Sequence, residues 1–255
     1  MTTGQDNALA TPAPGPGPNS FQRIIGVFLS PVTTFESIAK RPDWVLPLAI
    51  LCVVGVLGGI AIGQRVDFNV IAQETMDSNP QMSKLPPERV EKMLHLTATT
   101  MKVTAYASPI LAILILIIVG GVLLVSFRMF GGEGDFKQAF SATTYAWYPR
   151  VVKGILGAFV LLSKKGISVW DLQNPVRSNL GFLFEPKTQP VQFALGSSLD
   201  VFSIWSVVLL IIGFAAVSHL SKARSAAIVV TLWIVVNIIA LIGPMMQSIQ
   251  ASSGH

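Results

Sequence analysis

The chain has 255 residues, of which 51% are hydrophobic and only 12% charged, with a formal net charge of +5. A soluble domain carries about 25% charged residues, so this composition excludes an ordinary water-soluble globule and favours a bilayer, where lipid-facing positions are apolar. The basic residues flank apolar runs, which ties the charge to membrane topology and speaks against a nucleic-acid partner.

Residues 1–20 contain the run Ala10-Thr-Pro-Ala-Pro-Gly-Pro-Gly-Pro18 and no basic residue. They have neither the charged nor the apolar region of a signal peptide and are expected to form a disordered tail ahead of one membrane domain, residues 21–249. In that domain, Phe21, Ile24, Ile25, Phe28, Val32, Phe35 and Ile38 recur at spacings of three and four, the mark of an apolar helical stripe. Ser30-Pro31 divides the stripe, with Ser30 suited to an N-cap and Pro31 to a first helical position. Two short amphipathic helices at the membrane interface follow from this pattern, with Trp44 as an interfacial anchor.

Four runs are long and apolar enough to cross about 30 Å of hydrocarbon: 44–63, 106–127, 200–220 and 226–246. A fifth, 145–163, carries Arg150 and Lys153. Each central basic residue costs about 2.5–3.5 kcal/mol on the insertion scale unless it snorkels or is covered by neighbouring helices. The loop Ser221-Lys-Ala-Arg224 decides for five spans. With five, this loop and 128–144, the two loops denser in Lys and Arg, lie on the side of the N-terminus, as the positive-inside rule requires. The expected fold is all-α, a polytopic bundle of five transmembrane helices with a cytoplasmic N-terminus, in the cytoplasmic (inner) membrane.

Between spans, Pro86-Pro87 opens a helix with Glu88 in its first turn that continues into the second span. Gly131-Gly-Glu-Gly134 lacks the spacing of a phosphate loop. It reads as a turn into Asp135, an N-cap with Gln138 in the capping-box position, followed by a second interfacial helix with Phe136, Ala139 and Phe140 on one face. The loop 164–198, with Trp170, Phe182, Phe184 and Phe193, is expected against the outer interface.

Gly55, Gly59 and Gly63 stand at i, i+4 and i+8 of the first span, where a neighbouring helix can approach closely; packing within the protomer is favoured over a homo-oligomer face. Asn237, near the middle of the last span, is expected to supply an interhelical hydrogen bond rather than to line a substrate path. Asp200 is expected as the N-cap of the fourth span, out of reach of Arg150 and Lys153, which enter from the opposite side. No catalytic, cofactor or metal site is expected. His95, His219 and His255 are scattered, HExxH, CxxC and Walker patterns are missing, and the lone Cys52 forms no intrachain disulfide. An intramembrane hydrolase is disfavoured because Ser218 and His219 are adjacent and point about 100° apart on a helix.

Three stretches carry a resemblance: Ser30-Pro-Val-Thr-Thr-Phe35 with Arg41-Pro-Asp-Trp44, Gly131-Gly-Glu-Gly-Asp-Phe-Lys-Gln-Ala-Phe140, and Asp200-Val-Phe-Ser-Ile-Trp205. Over residues 21–246 the chain resembles a bacterial member of the YIP (Ypt/Rab-interacting) family of integral membrane proteins. The resemblance implies five transmembrane helices, a cytoplasmic N-terminus and no enzymatic activity; eukaryotic relatives assist vesicle traffic with small GTPases. The expected function is a non-catalytic membrane scaffold or adaptor. Its partners are the lipid bilayer and a protein met at a cytoplasmic face formed by Phe21, Phe28, Phe35, Phe136 and Phe140. The alternative is a small transporter or channel subunit, which requires an ionisable or broken-helix site at membrane depth.

Overall fold

The structure, a computed structural model, describes residues 17–77, 82, 85–185 and 188–252; most of the Pro/Gly-rich tail expected over 1–20 lies outside the described residues. Twelve α-helices and one short 3-10 turn make up the secondary structure among them, with no strand. In chain order they are α1 (Ser20–Leu29), α2 (Pro31–Lys40), α3 (Val45–Gly63), α4 (Phe68–Asp77), α5 (Pro87–Met129) and α6 (Phe136–Ala146). Then follow α7 (Tyr148–Ser163), α8 (Val169–Gln173), a 3-10 turn at Leu180–Leu183, α9 (Pro190–Ser198), α10 (Val201–Ser218), α11 (Lys222–Ala240) and α12 (Ile242–Ser252). The protein is an all-α polytopic membrane bundle.

Four helical paths are long and apolar enough to cross a bilayer: α3, α5, α10, and α11 running on into α12 as far as Met246. α5 has 43 residues, a rise of about 64 Å, so the helix opened by Pro86-Pro87 does run unbroken into the second span. The marginal fifth segment is a helix too, but α7 has 16 residues and rises only about 24 Å. Its start at residue 145 falls inside a longer path. α6 precedes it directly, Trp147 keeps right-handed helical backbone angles between them, and Pro149 at the start of α7 lacks the N–H that would carry the ladder through. Together, α6 and α7 are long enough to cross about 30 Å of hydrocarbon.

The largest correction concerns α6. It is not a helix lying on the interface: every residue from Ala139 to Ala146 is buried. It packs against α1, α2, α3, α5, α7 and α10. Thr143 and Thr144 donate their hydroxyls to the carbonyls of Ala139 and Phe140 (both 2.8 Å), and Ser141 donates to Lys137 O at 2.7 Å. Hydroxyls satisfied by the preceding turn can be buried at little cost, and small side chains let the neighbouring helices close in. Gly120 of α5 sits where a Cβ would lie 3.3 Å from Thr143 Oγ1. At Gly213 of α10 a Cβ would lie 2.9 Å from the Phe35 ring.

The helices run in register around this centre. α10 is antiparallel to α6 and α7: Val217 lies beside Gly134, Gly213 beside Ala142, and Asp200 beside Lys153. The main core gathers Val27, Phe35, Ile38, Phe127, Tyr145, Leu209, Phe214 and Val229, drawn from α1, α2, α5, α6, α10 and α11. A smaller core of Leu48, Leu51, Leu116 and Phe140 joins α3 to α5 and α6. Both lie toward one end of the bundle. At the other end, α4 packs on the early turns of α5 through Ile71, Ala72 and Met76, and α9 packs on the 3-10 turn, α11 and α12.

Candidate functional site

α1 and α2 are fastened to the bundle by a buried polar knot. α1 starts at a capping box between Asn19 and Gln22, which leaves Arg23 in its first turn pointing inward, 5% exposed. The Arg23 guanidinium pairs with Asp43 and donates to the carbonyls of Arg41 (2.8 Å) and Ser37 (3.1 Å). The other Asp43 oxygen accepts from Tyr145 Oη of α6 at 2.9 Å. Gln138, whose side chain completes the Asp135 capping box on α6, also donates to Ala39 O of α2 at 2.7 Å. A buried charge must be paired and hydrogen-bonded to be tolerated, and here the pairing ties three segments far apart in sequence. Sequence reading missed Arg23. The available signal was a lone arginine within the apolar stripe, four residues before the buried Val27.

The stripe itself divides. Val27, Phe35 and Ile38 face the core, whereas Phe21, Ile25, Leu29 and Val32 are exposed. Apolar residues on both sides suit a helix wedged between protein and lipid. Of the five phenylalanines assigned to an interaction face, Phe21 and Phe136 are open, at 60% and 47% exposure, while Phe35 (0%) and Phe140 (5%) belong to the core. Phe28 is half-buried, edge-on to Trp205 with ring centroids 5.2 Å apart. Phe140 is sandwiched, stacking on Phe136 at 5.7 Å and meeting Trp44 edge-on at 5.4 Å. Their inward orientation follows from the burial of α6 and from the close approach of α2 to Gly213.

Ser30 stands at the N-cap of α2 with Pro31 next, but its side chain makes no capping bond; its carbonyl instead accepts from the hydroxyls of Thr33 and Thr34. The glycines of α3 meet α5 within the protomer. A Cβ at Gly55 would lie 3.4 Å from the Pro109 ring, at Gly59 3.0 Å from the Ala105 carbonyl oxygen, and at Gly63 2.6 Å from Tyr106 Oη. Asn237 departs from its expected part. Its amide donates at 2.7 Å to the Trp233 carbonyl of its own helix, not across helices. It lines an apolar pocket of about 480 Å³ between α11 and the α9 region, with Leu180, Leu195, Leu199, Trp233 and Leu241.

Asp200 is the N-cap of α10, accepting from Ser203 N–H at 3.0 Å. Its expected separation from α7 does not hold: Lys153 Nζ donates to it at 2.8 Å, and the Ser178 hydroxyl donates to the same oxygen. The carboxylate is 1% exposed. The reason is the antiparallel register of α10 against α6–α7, which sets the N-terminus of α10 beside the second turn of α7. α9 ends at Ser198 and α10 starts at Val201, so this end of the fourth span is a broken helix bearing a buried ion pair. Arg150, one turn before Lys153, rests its guanidinium 4.5 Å from the Trp147 ring centroid.

In the loop beyond α7, Ser168 and Asp171 form a capping box at α8 and Lys164 pairs with Asp171. Burial pushes the Asp171 carboxyl up, but the hydrogen bonds from Lys164 and Ser168 prevail and hold it below its ordinary value. The Val169 N–H donates to Glu74 of α4 at 3.0 Å, which links this loop to the α4–α5 hairpin. Among the described residues, no group of three or more His, Cys, Asp or Glu is placed to hold a metal ion.

Residues 25–243 match the family model described as the Yip1 domain. Neither a curated protein nor a solved structure matches the chain. The match begins in α1 and ends in α12, taking in both cores, Asp43 and Tyr145 of the polar knot and the broken helix; the chain is a member of the YIP family of membrane proteins.

Proposed function

We propose that the protein is a non-catalytic membrane scaffold or adaptor of the YIP type, working through the packed end of the bundle, which faces the cytoplasm. The supporting observation is the company that end keeps. Lys40, Arg41, Arg128, Lys137, Lys222 and Arg224 are all exposed there, on elements joined by the Gln138–Ala39 bond and by the Glu133 N–H to Ser218 O bond of 3.0 Å. Basic residues in short loops favour the cytoplasmic side, which sets the N-terminus inside. With α6–α7 counted as the third of five passes, the C-terminus is outside. On the same end, Phe21, Ile25 and Leu29 of α1 and Met129, Phe130 and Phe136 near the α5–α6 turn are exposed apolar groups, suited to the acyl boundary or to a partner helix.

The test is the double variant Phe21→Ser, Phe136→Ser, which spares the core phenylalanines. It is expected to insert and to melt in detergent as the wild type does, but to lose the proteins that crosslink to wild type in native membranes. Unchanged crosslinks reject the proposal. A reporter active only outside the cytoplasm, fused after His255, is expected to be active.

A small transporter or channel subunit is the second reading, favoured by the Lys153–Asp200 pair at the α9–α10 break. Discontinuous helices with ionisable groups at membrane depth are the usual build of a transport site. Flux across proteoliposomes that Asp200→Asn abolishes would establish it.

A further inference from the structure

The charges that α7 and α10 hold inside the bundle do not balance. Lys153 and Asp200 neutralise each other. The Asp200 oxygens accept from Lys153, Ser178 and the Ser203 N–H, and Arg150 makes no hydrogen bond to them. Arg150 therefore stands as an excess positive charge. Among the described residues it has no ion-pair partner, and its buried Nε has no hydrogen-bond acceptor. A buried guanidinium N–H without an acceptor is costly, and the Trp147 face 4.5 Å away meets only part of that need.

We infer that Arg150 holds a phosphate-type oxyanion, taken from the headgroup of an anionic phospholipid or from free phosphate. The fork of guanidinium N–H donors matches two phosphate oxygens. Tyr148 Oη donates to Pro47 O at 2.9 Å, which ties the start of α7 to α3, and Arg150 folds back one turn from there onto Trp147, the way a long basic side chain snorkels toward headgroups. Lys153 is not available to the anion, being committed to Asp200, so the site is a single guanidinium stacked on an indole. This inference is independent of the scaffold reading, because it concerns α7 rather than the α1–α6 surface.

The test uses the purified full-length protein in nanodiscs, with native mass spectrometry to count retained lipid and melting temperature as a second readout. Wild type in phosphatidylcholine with phosphatidylglycerol is expected to retain phosphatidylglycerol about tenfold over its bulk share, the ratio of one charge-assisted contact. Arg150→Gln is expected to abolish the preference, and Arg150→Lys to keep part of it. In the second arm, phosphatidylcholine alone with inorganic phosphate, a rise in melting temperature present in wild type and lost in Arg150→Gln identifies free phosphate as the source. A wild type that neither prefers phosphatidylglycerol nor responds to phosphate overturns the inference, whether or not the variants fold. So does a preference or a response that Arg150→Gln retains.

Discussion

The two ends of the bundle are built on different principles. At one end α6 is buried on all sides, α1 and α2 are held to it by the Arg23–Asp43–Tyr145 knot, and large side chains such as Phe35, Phe127 and Phe214 are fully enclosed. At the other, α7, α11 and α12 expose most of their apolar surface, and the polar residues form small local sets such as Lys153 with Asp200 and Lys164 with Asp171. The spans record the same gradient: 39% of the apolar window of α10 is buried inside the protein, but 11% of the window in the last span. Lipid is as apolar as leucine, so an apolar side chain gains little by moving from lipid into protein. Tight packing is needed where helices must hold a fixed relative position, and that is the end where α1 and α2 attach.

The sharpest test of this contrast pairs two phenylalanines. Phe35→Ala at the packed end is expected to cost about 3–5 kcal/mol, the usual loss for a core phenylalanine, read from the melting temperature in detergent. Phe159→Ala, on α7 with a side chain 75% exposed, is expected to leave the melting temperature unchanged. Equal effects would mean that the two ends are packed alike.

A second experiment probes the ion pair on the open side. Lys153→Met leaves Asp200 buried without its cation and is expected to cost about 3 kcal/mol, the lower end for an unpaired buried charge because Lys153 itself is partly exposed. Lys153→Met with Asp200→Asn is expected to recover most of that loss. If the double variant is no better than Lys153→Met alone, the two residues act separately.

The α3–α5 seam is of intermediate strength. Gly59→Leu drives a side chain against the Ala105 carbonyl and is expected to cost about 1–3 kcal/mol by overpacking. It should leave oligomeric state unchanged, because the glycines face α5 of the same protomer; a shift in oligomeric state without a drop in melting temperature contradicts the seam.

The smallest effect belongs to the loop after α7. Asp171→Asn removes the Lys164 pair and is expected to cost about 0.2–1 kcal/mol, as for exposed pairs. The Asp171 carboxyl is held below its ordinary value in the folded protein, so its contribution is present above the ordinary carboxylate range and disappears as pH falls through the depressed value. The wild-type advantage over Asp171→Asn should vanish in acid; an advantage that grows in acid contradicts the pairing.

Much of this architecture was legible in the sequence. Long apolar runs gave α3, α10 and the last span, because a bilayer demands about 20 apolar residues in a row and little else satisfies that demand. Pro86-Pro87 and Asp135 with Gln138 marked the starts of α5 and α6, since helix starts are set by local backbone chemistry. The glycine spacing on α3 foretold a close helix contact, and the resemblance carried by short motifs agrees with the Yip1 domain match over 25–243.

What the sequence could not decide were matters of register and of what surrounds each helix. α6 looked interfacial because Phe136, Ala139 and Phe140 share one face, yet the hydroxyls of Ser141, Thr143 and Thr144 bond within the helix and leave an apolar exterior that the surrounding helices enclose. Arg23 and Tyr145 are more than a hundred residues apart, and nothing local indicates that Asp43 bridges them. Lys153 and Asp200 were assigned to opposite faces by counting spans. Only the antiparallel packing of α10 on α6–α7, and the break between α9 and α10, bring them to 2.8 Å. Length, hydropathy and caps are local properties that a sequence states outright; the partner of a buried charge is fixed by how helices slide against one another, and that is settled by packing in three dimensions.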